Sequence, residues 1–256
     1  MPGDSPLQGK VAWITGGGSG VGLAAALELA RAGARVVITG RNPQTLAQAE
    51  AQLKEEGKGE AISLDVSDRA AVQRAAADIE ARHGRIDILV NSAGINVPQR
   101  NFRTMTLADW DGVIEINLSG LFYCCHAAMG GMRARRDGLI INISSWVGRY
   151  ASALTGAAYN AAKRAVIAVT ETINIEEGAN GIRATSILPG EVATPILRKR
   201  PVPPPEQEIA RMLRAEDVGK TILFIATLPA RACVNELIIS PTWNRFYLGG
   251  LETPRS

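Results

Sequence analysis

Short runs of apolar residues, many of them β-branched, alternate along this chain with longer stretches rich in alanine and leucine. Most of the short runs are apolar throughout, which is typical of strands that helices cover on both faces. They predict seven strands, near Val11–Thr15, Arg35–Thr39, Gly59–Leu64, Ile86–Val90, Leu139–Ser144, Arg183–Leu188 and Glu236–Ser240. Strands that alternate with helix-length segments indicate an α/β fold with a doubly wound parallel sheet.

The longer stretches predict helices on both faces of that sheet. Their expected ranges are Gly22–Ala32, Pro43–Glu55, Arg69–His83, Leu107–Arg135, Ala157–Glu177 and Ala215–Thr227. The range Leu107–Arg135 is expected to contain two helices that meet near Asn117–Gly120. Asparagine, serine and glycine cluster there, and glycine weakens a helix interior.

Three segments are expected to be irregular. Residues 1–8 are polar and contain proline, so we expect a flexible tail before a single domain at 9–256. The sequence RKRPVPPPEQE within 191–208 excludes a continuous helix or strand, which indicates a surface loop, with a substrate lid near 191–214. The segment Trp243–Ser256 follows the last strand and is expected to pack on a neighbouring subunit.

Composition and charge narrow the classes of function. The chain has 28 basic and 25 acidic residues and a net charge of +3, which is too weak and diffuse for a nucleic-acid footprint. Its three cysteines form no C-x-x-C pair, so neither a disulfide framework nor a structural metal is expected. The sequence contains no signal-peptide core and no uncharged apolar run of about 18 residues, which predicts a cytoplasmic protein without a membrane span.

A glycine-rich turn, TGGGSGVG at 15–22, separates the first predicted strand from the first helix. Glycines permit positive φ angles and close backbone approach, and the free N–H groups at a helix start favour a pyrophosphate. The spacing is T-G-x-x-x-G-x-G rather than the general G-x-G-x-x-G. The turn therefore predicts a dinucleotide site, with a flexible turn that binds nothing as the alternative.

Arg41 follows the second strand, where many dinucleotide-binding folds carry an acid that binds the adenosine ribose. A guanidinium group suits a 2′-phosphate because its donors form a planar, charged fork. NADP is therefore preferred over NAD as the expected cofactor. A solvated loop arginine is the alternative interpretation.

Tyr159 and Lys163 lie four residues apart, on one face of a predicted helix. A free tyrosine has a pKa of about 10, and a nearby cation favours the phenolate, so this spacing suits proton transfer. Ser145 follows the strand LIINIS at the sheet edge where ligands bind in open α/β folds. Its hydroxyl group is positioned to bind a carbonyl oxygen.

These residues together resemble the short-chain dehydrogenase/reductase family in its single-domain form, from about Gly9 to Ser240. The matching segments are TGGGSGVG at 15–22, Asp65, NSAG at 91–94, Asn117, ISSWVG at 143–148, YNAAK at 159–163 and PGEVAT at 189–194. The resemblance implies a Rossmann-type sheet of about seven parallel strands. It also implies hydride transfer between NADP, or NAD, and a small-molecule ketone or secondary alcohol.

The resemblance implies four catalytic residues. Tyr159 would be the general acid/base, Ser145 would orient the carbonyl group, and Lys163 would lower the tyrosine pKa and hold the nicotinamide ribose. Asn117 would fix a helix kink and a water in the proton relay. The implied cofactor-binding residues are Gly16, Gly18, Ser19, Gly20, Val21, Gly22, Arg41, Asp65, Val66, Asn91, Ala93, Gly94, Tyr159, Lys163, Pro189, Gly190, Val192 and Thr194.

The implied substrate-binding residues are Ser145, Trp146 and Tyr159, and Tyr150 is a further candidate for an apolar pocket. Ser144 remains an alternative to Ser145. Asn117 remains open as a simple helix terminator and Asp65 as a helix N-cap. Four cations are candidate contacts for an anionic substrate or else solvated loop residues, namely Arg149, Arg198, Lys199 and Arg200.

The leading hypothesis is an NADP-dependent oxidoreductase. The alternative is a cofactor-binding regulatory or scaffold protein of the same fold without turnover, because a fold does not dictate a function. The resemblance also implies a homotetramer or homodimer, assembled through the helices predicted in Leu107–Arg135 and Ala157–Glu177.

Overall fold

A parallel sheet forms the centre of the protein, which a computed structural model describes over residues 5–57 and 59–248. The strands are β1 (Val11–Thr15), β2 (Arg35–Gly40), β3 (Gly59–Ser63), β4 (Ile88–Asn91), β5 (Gly138–Ile143), β6 (Ile182–Pro189), β7 (Val192–Ala193), β8 (Leu213–Arg214) and β9 (Glu236–Ile239). Seven of them form the sheet in the order β3-β2-β1-β4-β5-β6-β9, and β7 pairs with β8 outside it. The predicted doubly wound α/β fold is confirmed.

Helices cover both faces of this sheet. They are α1 (Gly20–Arg31), α2 (Pro43–Glu55), α3 (Arg69–His83), α4 (Leu107–Ile114), α5 (Gly120–Arg135), α6 (Ala157–Glu177), α7 (Glu206–Ile209), α8 (Ala215–Ala226) and α9 (Arg245–Leu248). Helices α2, α3 and α6 have the predicted bounds, whereas α1 begins two residues earlier than expected. Asn42 caps α2 by accepting hydrogen bonds from Gln44 N and Thr45 N, which satisfies two donors of its first turn.

Two apolar cores hold these layers together. One packs α1, α2 and α8 against the sheet, and the other packs α3, α5 and α6 against the opposite face. In β1, Ala12 and Ile14 belong to the first core, and Val11 and Trp13 belong to the second. Both faces of a central strand are therefore buried, which explains why the strand segments are apolar at every position.

The strand order reverses between β1 and β4, whose next neighbours lie on opposite sides. In open α/β sheets ligands bind outside the carboxyl ends of the strands at such a switch point. Here those ends lead into the glycine turn at Gly16 and into the loop that begins at Ser92. The fold therefore places two of the predicted motifs beside each other.

The junction between α4 and α5 differs in kind from the expected break. Residues Glu115–Ser119 form a short π-helical segment, so the backbone continues helically from one helix into the next. An added Cβ at Gly120 would lie 2.7 Å from Val66 Cγ2, so glycine here serves close packing against the loop after β3. The location near Asn117 was predicted correctly, but the glycine does not break the helix.

Two of the three segments expected to be irregular are more ordered than predicted. Leu7, in the predicted tail, is buried, and its N–H group bonds to Ala32 O; residues 1–4 lie outside the described ranges. The segment 191–208 contains β7, a 3-10 turn at Pro195–Lys199 and the start of α7, because each of these elements is short enough to fit between the prolines. In the last segment, Arg245 forms an ion pair with Glu191 of the same chain, residues 249–256 lie outside the described ranges, and the expected contact with a neighbouring subunit stays a prediction.

No helix in the described part of the chain is long and apolar enough to cross a membrane. Within the same ranges, no group of three or more His, Cys, Asp or Glu side chains is arranged to hold a metal ion.

Candidate active site

A cleft of about 330 Å³ opens at the carboxyl edge of the sheet. It is lined by parts of the glycine turn, the loops after β4 and β5, the start of α6 and the segment after β6. Predicted site residues that line it are Gly16, Ser19, Gly20, Val21, Ala93, Gly94, Ser145, Trp146, Tyr159, Lys163, Pro189, Gly190, Val192 and Thr194. The fold thus brings most of the predicted site into one cavity.

The glycine turn approaches its neighbours too closely for side chains. Gly16 has φ +65°, and a Cβ there would lie 2.8 Å from the backbone of Ala93. A Cβ at Gly22 would lie 2.4 Å from Gly16 O, under the turn. A Cβ at Gly18 would lie 2.9 Å from Thr45 Oγ1 of α2. Packing therefore requires glycine at position 22, a side chain at position 18 would displace that of Thr45, and the open side of the turn faces the cleft.

The first turn of α1 presents free backbone N–H groups behind this glycine turn. Ser19 is the N-cap and adopts an extended backbone, and its side chain makes no capping hydrogen bond. A helix of twelve residues that starts at such a turn favours a negatively charged group at its N-terminus. The cradle fits the pyrophosphate of a dinucleotide cofactor.

The loop after β4 is tied to the end of β1. Thr15 Oγ1 accepts hydrogen bonds from Ser92 N and Ala93 N, each at 3.2 Å. The Asn91 side chain, predicted to line the adenosine side, instead points into the core, where its Nδ2 donates to Asn142 Oδ1 at 2.9 Å. Ala93 and Gly94 lie at the cleft, and the predicted role of Asn91 on the adenosine side stays a prediction.

Asn117, in the π-helical segment, lies behind the cleft. Its Oδ1 accepts from Ile95 N at 2.7 Å and its Nδ2 donates to Ile95 O at 2.8 Å. A Cβ at Gly94 would lie 3.0 Å from Asn117 Oδ1 and 3.6 Å from Lys163 Nζ. Asn117 therefore fixes the loop that passes beside the lysine, and it does more than terminate a helix.

Lys163 is buried on α6, and its Nζ donates to Ile143 O at 2.8 Å. Burial lowers the pKa of its ammonium group to about 8. The ammonium group lies 5.5 Å from the centroid of the Tyr159 ring. One helical turn thus places a cation against the tyrosine, as the spacing of four residues predicts.

The two serines after β5 have different partners. Ser144 Oγ donates to Lys163 O at 2.7 Å and so anchors α6. Ser145 lines the cleft with Tyr159 and lowers the pKa of its phenol, while its Oγ accepts a hydrogen bond from Val147 N at 3.4 Å. This geometry favours Ser145 over Ser144 as the residue that meets a substrate oxygen beside the tyrosine.

The pKa of Tyr159 differs from the expectation that it is lowered. Burial raises it to about 12, and the neighbouring Ser145 and the charges of Arg100 and Arg200 oppose that rise only in part. The desolvation of the phenol exceeds what these neighbours supply. The phenol is therefore protonated at neutral pH in the protein chain itself.

Arg41 and Asp65 lie beyond the ends of β2 and β3, outside the lining of the cleft, and form an ion pair at 3.6 Å. The side chain of Arg41 is half exposed. Burial would raise the pKa of Asp65, but hydrogen bonds from Ser67 and the charge of Arg41 lower it below its usual range.

Asp68 rather than Asp65 caps α3, by accepting from Ala71 N. Val66 is buried against Gly120 and packs rather than lining the cleft.

Trp146 is buried at the cleft and stacks on Tyr150 with the ring centroids 4.8 Å apart. Tyr247 of α9 meets the same indole edge-on at 4.9 Å. Tyr150 is half exposed and lies outside the lining of the cleft. The structure therefore brings Trp146 into the cavity and places Tyr150 behind it.

Arg100 and Asn96 line the cleft but were not identified from the sequence. Asn96 Nδ2 donates to Thr155 O at 3.0 Å, and Arg100 Nε donates to Val97 O at 2.8 Å. A Cβ at Gly156, which has φ +77°, would lie 2.2 Å from Arg100 O. These contacts join the loops before α4 and α6, and no short sequence motif indicates such a contact between distant loops.

A second charged group lies in the predicted lid. Arg200 lines the cleft and pairs with Glu191 at 2.9 Å, and Arg245 pairs with the same carboxylate at 2.6 Å. Of the other candidate cations, Arg149 pairs with Glu236 outside the cleft lining. Arg198 is exposed and also lies outside the lining, and nothing is described of the Lys199 side chain.

Comparison with known proteins agrees with this geometry. The sequence profile described as short chain dehydrogenase matches residues 10–203. A 3-oxoacyl-acyl-carrier-protein reductase of Thermotoga maritima is 35% identical over 229 residues, which cover 86% of this chain and 92% of that protein. An uncharacterized oxidoreductase of Staphylococcus epidermidis is 32% identical over 232 residues, covering 91% and 97%.

Solved structures share the architecture as well. A metagenomic short-chain oxidoreductase in complex with NADP has a TM-score of 0.81 at 30% identity, covering 93% of this chain and 99% of that one. The closed form of serine dehydrogenase complexed with NADP⁺ has a TM-score of 0.84 at 29% identity, covering 96% and 100%. The chain belongs to the short-chain dehydrogenase family of oxidoreductases.

Proposed function

We propose that this protein is an NADP-dependent reductase of a small ketone, with Tyr159 as the proton donor. The observation that carries the proposal is the grouping of Ser145, Tyr159 and Lys163 in one cleft beside the glycine turn. When bound, the nicotinamide cofactor supplies the hydride. The protein supplies the proton, the orientation of the carbonyl group and the exclusion of water.

The proton chemistry follows from the burial of the phenol. Tyr159 Oη holds its proton at neutral pH, because its pKa is raised to about 12. As the carbonyl carbon receives hydride, the substrate oxygen becomes a strong base and takes this proton. The Ser145 hydroxyl group donates a hydrogen bond to the same oxygen, which stabilises the developing alkoxide.

Lys163 assists by its charge. The ammonium group, 5.5 Å from the centroid of the Tyr159 ring, favours the phenolate left after proton transfer. Its other role is to bind the nicotinamide ribose beside Gly94. Asn117 positions that loop through Ile95 and so acts through its neighbours.

The remaining predicted residues would hold the cofactor. Pro189, Gly190, Val192 and Thr194 would cover the nicotinamide end, and Thr194 would contact the carboxamide. The segment that contains Thr194 lies against the glycine turn, since an added Cβ at Gly20 would lie 3.3 Å from Thr194 Cγ2. Asp65 would meet the adenine amino group, and Arg41 beside it would bind the 2′-phosphate. The two NADP-bound structural neighbours support the preference for NADP.

The test replaces the proton donor alone. We expect Tyr159→Phe to lower the turnover of ketones with NADPH at least ~1,000-fold, because general acid catalysis contributes about 10²–10⁴-fold. The affinity for NADPH, measured by fluorescence titration, should change little because the ring remains. A Tyr159→Phe variant that keeps more than a tenth of the activity would contradict the mechanism.

A wild-type control separates this function from cofactor binding without turnover. Oxidation of NADPH and NADH is followed at 340 nm against aldehydes, ketones and oxo acids. Cofactor binding without oxidation in any of these assays would favour a regulatory or scaffold protein of the same fold.

We also propose that the protein assembles as a homotetramer or homodimer through α4, α5 and α6. Large apolar side chains are exposed on these helices, among them Leu107, Phe122 and Ile175. Light scattering coupled to size exclusion would measure the mass in solution. A monomer across the micromolar range would contradict this assembly.

A further inference from the structure

A loop between two helical segments forms one wall of the cleft. It follows the 3-10 turn Trp146–Gly148 and precedes α6, and we call its residues 152–156 the cleft loop. Leu154 and Thr155 of the cleft loop line the cavity together with Tyr159. The contacts that fix the cleft loop therefore fix the space beside the reacting carbonyl group.

Asn160 ties the cleft loop to the helix that carries Tyr159. It lies in the first turn of α6, and its Nδ2 donates to Ser152 O at 2.9 Å. Its Oδ1 accepts from Thr155 Oγ1 at 2.5 Å. A backbone carbonyl oxygen only accepts hydrogen bonds, so the contact with Ser152 fixes the orientation of the amide group. Asn160 itself lies outside the lining of the cleft, so it acts on the cavity through the cleft loop.

The loop that follows β4 holds the cleft loop from the other side. Asn96 is buried, and its Nδ2 donates to Thr155 O at 3.0 Å. Arg100 Nη1 donates to Leu154 O at 3.3 Å. Gly156, at φ +77°, passes so close that an added Cβ would lie 2.2 Å from Arg100 O. The cleft loop is therefore clamped between this segment and α6, and it moves only if one of the two sets of contacts breaks.

We propose that Asn160 is a positioning residue that restricts the substrate to small ketones, because it holds Leu154 and Thr155 in place. This inference rests on the proposed function. The cavity of about 330 Å³ has to accept the nicotinamide end of the cofactor as well, so a fixed cleft loop leaves room for only a small group on the carbonyl carbon. A cleft loop without this clamp would move outward and admit a bulkier group.

The test removes the clamp and compares two ketones that differ only in bulk. Butan-2-one and 3,3-dimethylbutan-2-one are both methyl ketones, and they carry an ethyl and a tert-butyl group. In Asn160→Ala, the ratio of kcat/KM with NADPH for the bulkier over the smaller ketone should rise at least ~10-fold, the lower limit for one methylene group in an apolar pocket. The change should appear in the KM of the bulkier ketone, with kcat for butan-2-one and the Kd for NADPH little changed. Alanine favours a helix more than asparagine does, so α6 is kept.

Asn174→Ala is the matched control on the same helix. Asn174 also makes two side-chain hydrogen bonds to one loop or strand, since its Nδ2 donates to Ala184 O at 2.8 Å and its Oδ1 accepts from Ala184 N at 2.7 Å. It lies outside the lining of the cleft. Both variants should lose stability, whereas the ratio should keep its wild-type value in Asn174→Ala.

Thr155→Val tests the same contact from its other end. It removes the hydroxyl group that bonds Asn160 and keeps a side chain of almost the same shape. The ratio should rise in this variant as well, and the double variant should show little further rise, because both substitutions remove the same contact. Separate effects that multiply would mean that Asn160 does not act through Thr155. If Asn160→Ala does not fold, the Thr155→Val ratio decides.

Two further results would overturn the inference while leaving the ketone reductase standing. One is an unchanged ratio in Asn160→Ala, or a rise that Asn174→Ala matches. The mass of each variant in solution is measured as well, because assembly is proposed through α6. A ratio that rises only together with a change in mass is the other result, since it would assign the effect to assembly.

If no carbonyl compound is reduced at all, the proposed function fails, and hydrogen exchange decides the clamp separately. Deuterium uptake by a peptide that covers the cleft loop is measured by mass spectrometry in the NADP-loaded protein. Uptake that is faster in Asn160→Ala than in the wild type, and unchanged in Asn174→Ala, would support the positioning role. Equal uptake in Asn160→Ala and the wild type would overturn it.

Discussion

The cleft has two walls of different construction. The glycine wall, formed by Gly16–Gly22 and Ser92–Gly94, is built from backbone atoms that approach within van der Waals contact. The arginine wall, formed by Arg100, Glu191 and Arg200, is built from long charged side chains, of which Glu191 and Arg200 form an ion pair. The backbone atoms of the glycine wall fit one shape of cofactor. The side chains of the arginine wall determine which charge and length of substrate the cleft accepts. We therefore expect damage to the glycine wall to affect cofactor binding, and damage to the arginine wall to affect substrate choice.

The largest expected effect comes from adding one carbon to the glycine wall. Gly16→Ala places a Cβ 2.8 Å from the backbone of Ala93, at φ +65°. We expect the free energy of unfolding to fall by ~2–4 kcal/mol, the sum of overpacking and a left-handed alanine, and the affinity for NADPH to fall as well. Urea unfolding and fluorescence titration measure the two effects.

Gly57→Ala is the matched control, since it has φ +83° and an added Cβ there meets no atom within 4 Å. It should cost only ~1 kcal/mol, the strain of the left-handed conformation, and leave NADPH binding unchanged. Equal destabilisation in the two variants would mean that the close approach to Ala93 is not what the glycine serves.

The next effect concerns Lys163, whose partner is a neutral carbonyl group. Its pKa is about 8 in the folded protein and 10.5 as the usual value, so between these pH values the unfolded chain holds a proton that the folded one has released. The free energy of unfolding of the wild type should therefore rise with pH across this window, relative to Lys163→Met, by up to ~3 kcal/mol.

Urea unfolding at pH 7.5 and 9.5 measures this difference, and Lys220→Met, which removes an exposed lysine of α8, serves as the control. If the free energy of unfolding of the wild type, relative to Lys163→Met, falls as pH rises, Lys163 is not desolvated in the folded protein.

The variant Arg41→Ala tests whether the charge of this side chain makes the protein prefer NADP over NAD. We expect Arg41→Ala to raise the Kd for NADP about 10–100-fold, because a charged hydrogen bond contributes roughly 1.5–3 kcal/mol. The Kd for NAD should change little. Arg35→Ala, at the opposite end of β2, should alter neither constant, and equal losses for both cofactors in Arg41→Ala would refute a 2′-phosphate contact.

The smallest effect is expected from Arg245, which supports the arginine wall from α9. Its ion pairs with Glu191 and Glu208 are half exposed, and such pairs contribute up to ~1 kcal/mol. Arg245→Gln should raise the KM for the substrate about two- to fivefold at unchanged Kd for NADPH. A change in cofactor affinity without a change in KM would show that the two walls are not separate.

The two walls also differ in how well the sequence predicts them. The glycine turn and the Tyr159–Lys163 pair are local patterns that can be read from the sequence. The order of the strands in the sheet then places both beside the cleft. Helices α2, α3 and α6 have the bounds that their caps and periodicity indicate. Arg100, by contrast, carries no local signal, because its place in the cleft depends on a contact with Leu154, which lies 54 residues further along the chain.

Some local predictions were overruled by packing. The Asn91 side chain follows a strand end, yet it turns into the core because Asn142 of the neighbouring strand offers it a hydrogen bond. Glycine in a helix predicts a break near Gly120, but the backbone stays helical through a π segment, and the glycine allows close packing against Val66. The pKa of Tyr159 is raised, because burial outweighs the charges of Arg100 and Arg200.

By itself, the sequence determined the parallel sheet, its helices and the family to which the chain belongs, because apolar runs, caps and glycines act over a few residues. The tertiary structure decided which side chains share the cleft. Arg200 and Arg245 come from separate segments that the fold brings to Glu191, and Arg100 reaches the cavity from a third segment. Contacts between distant segments depend on the three-dimensional fold, and no short sequence pattern indicates them.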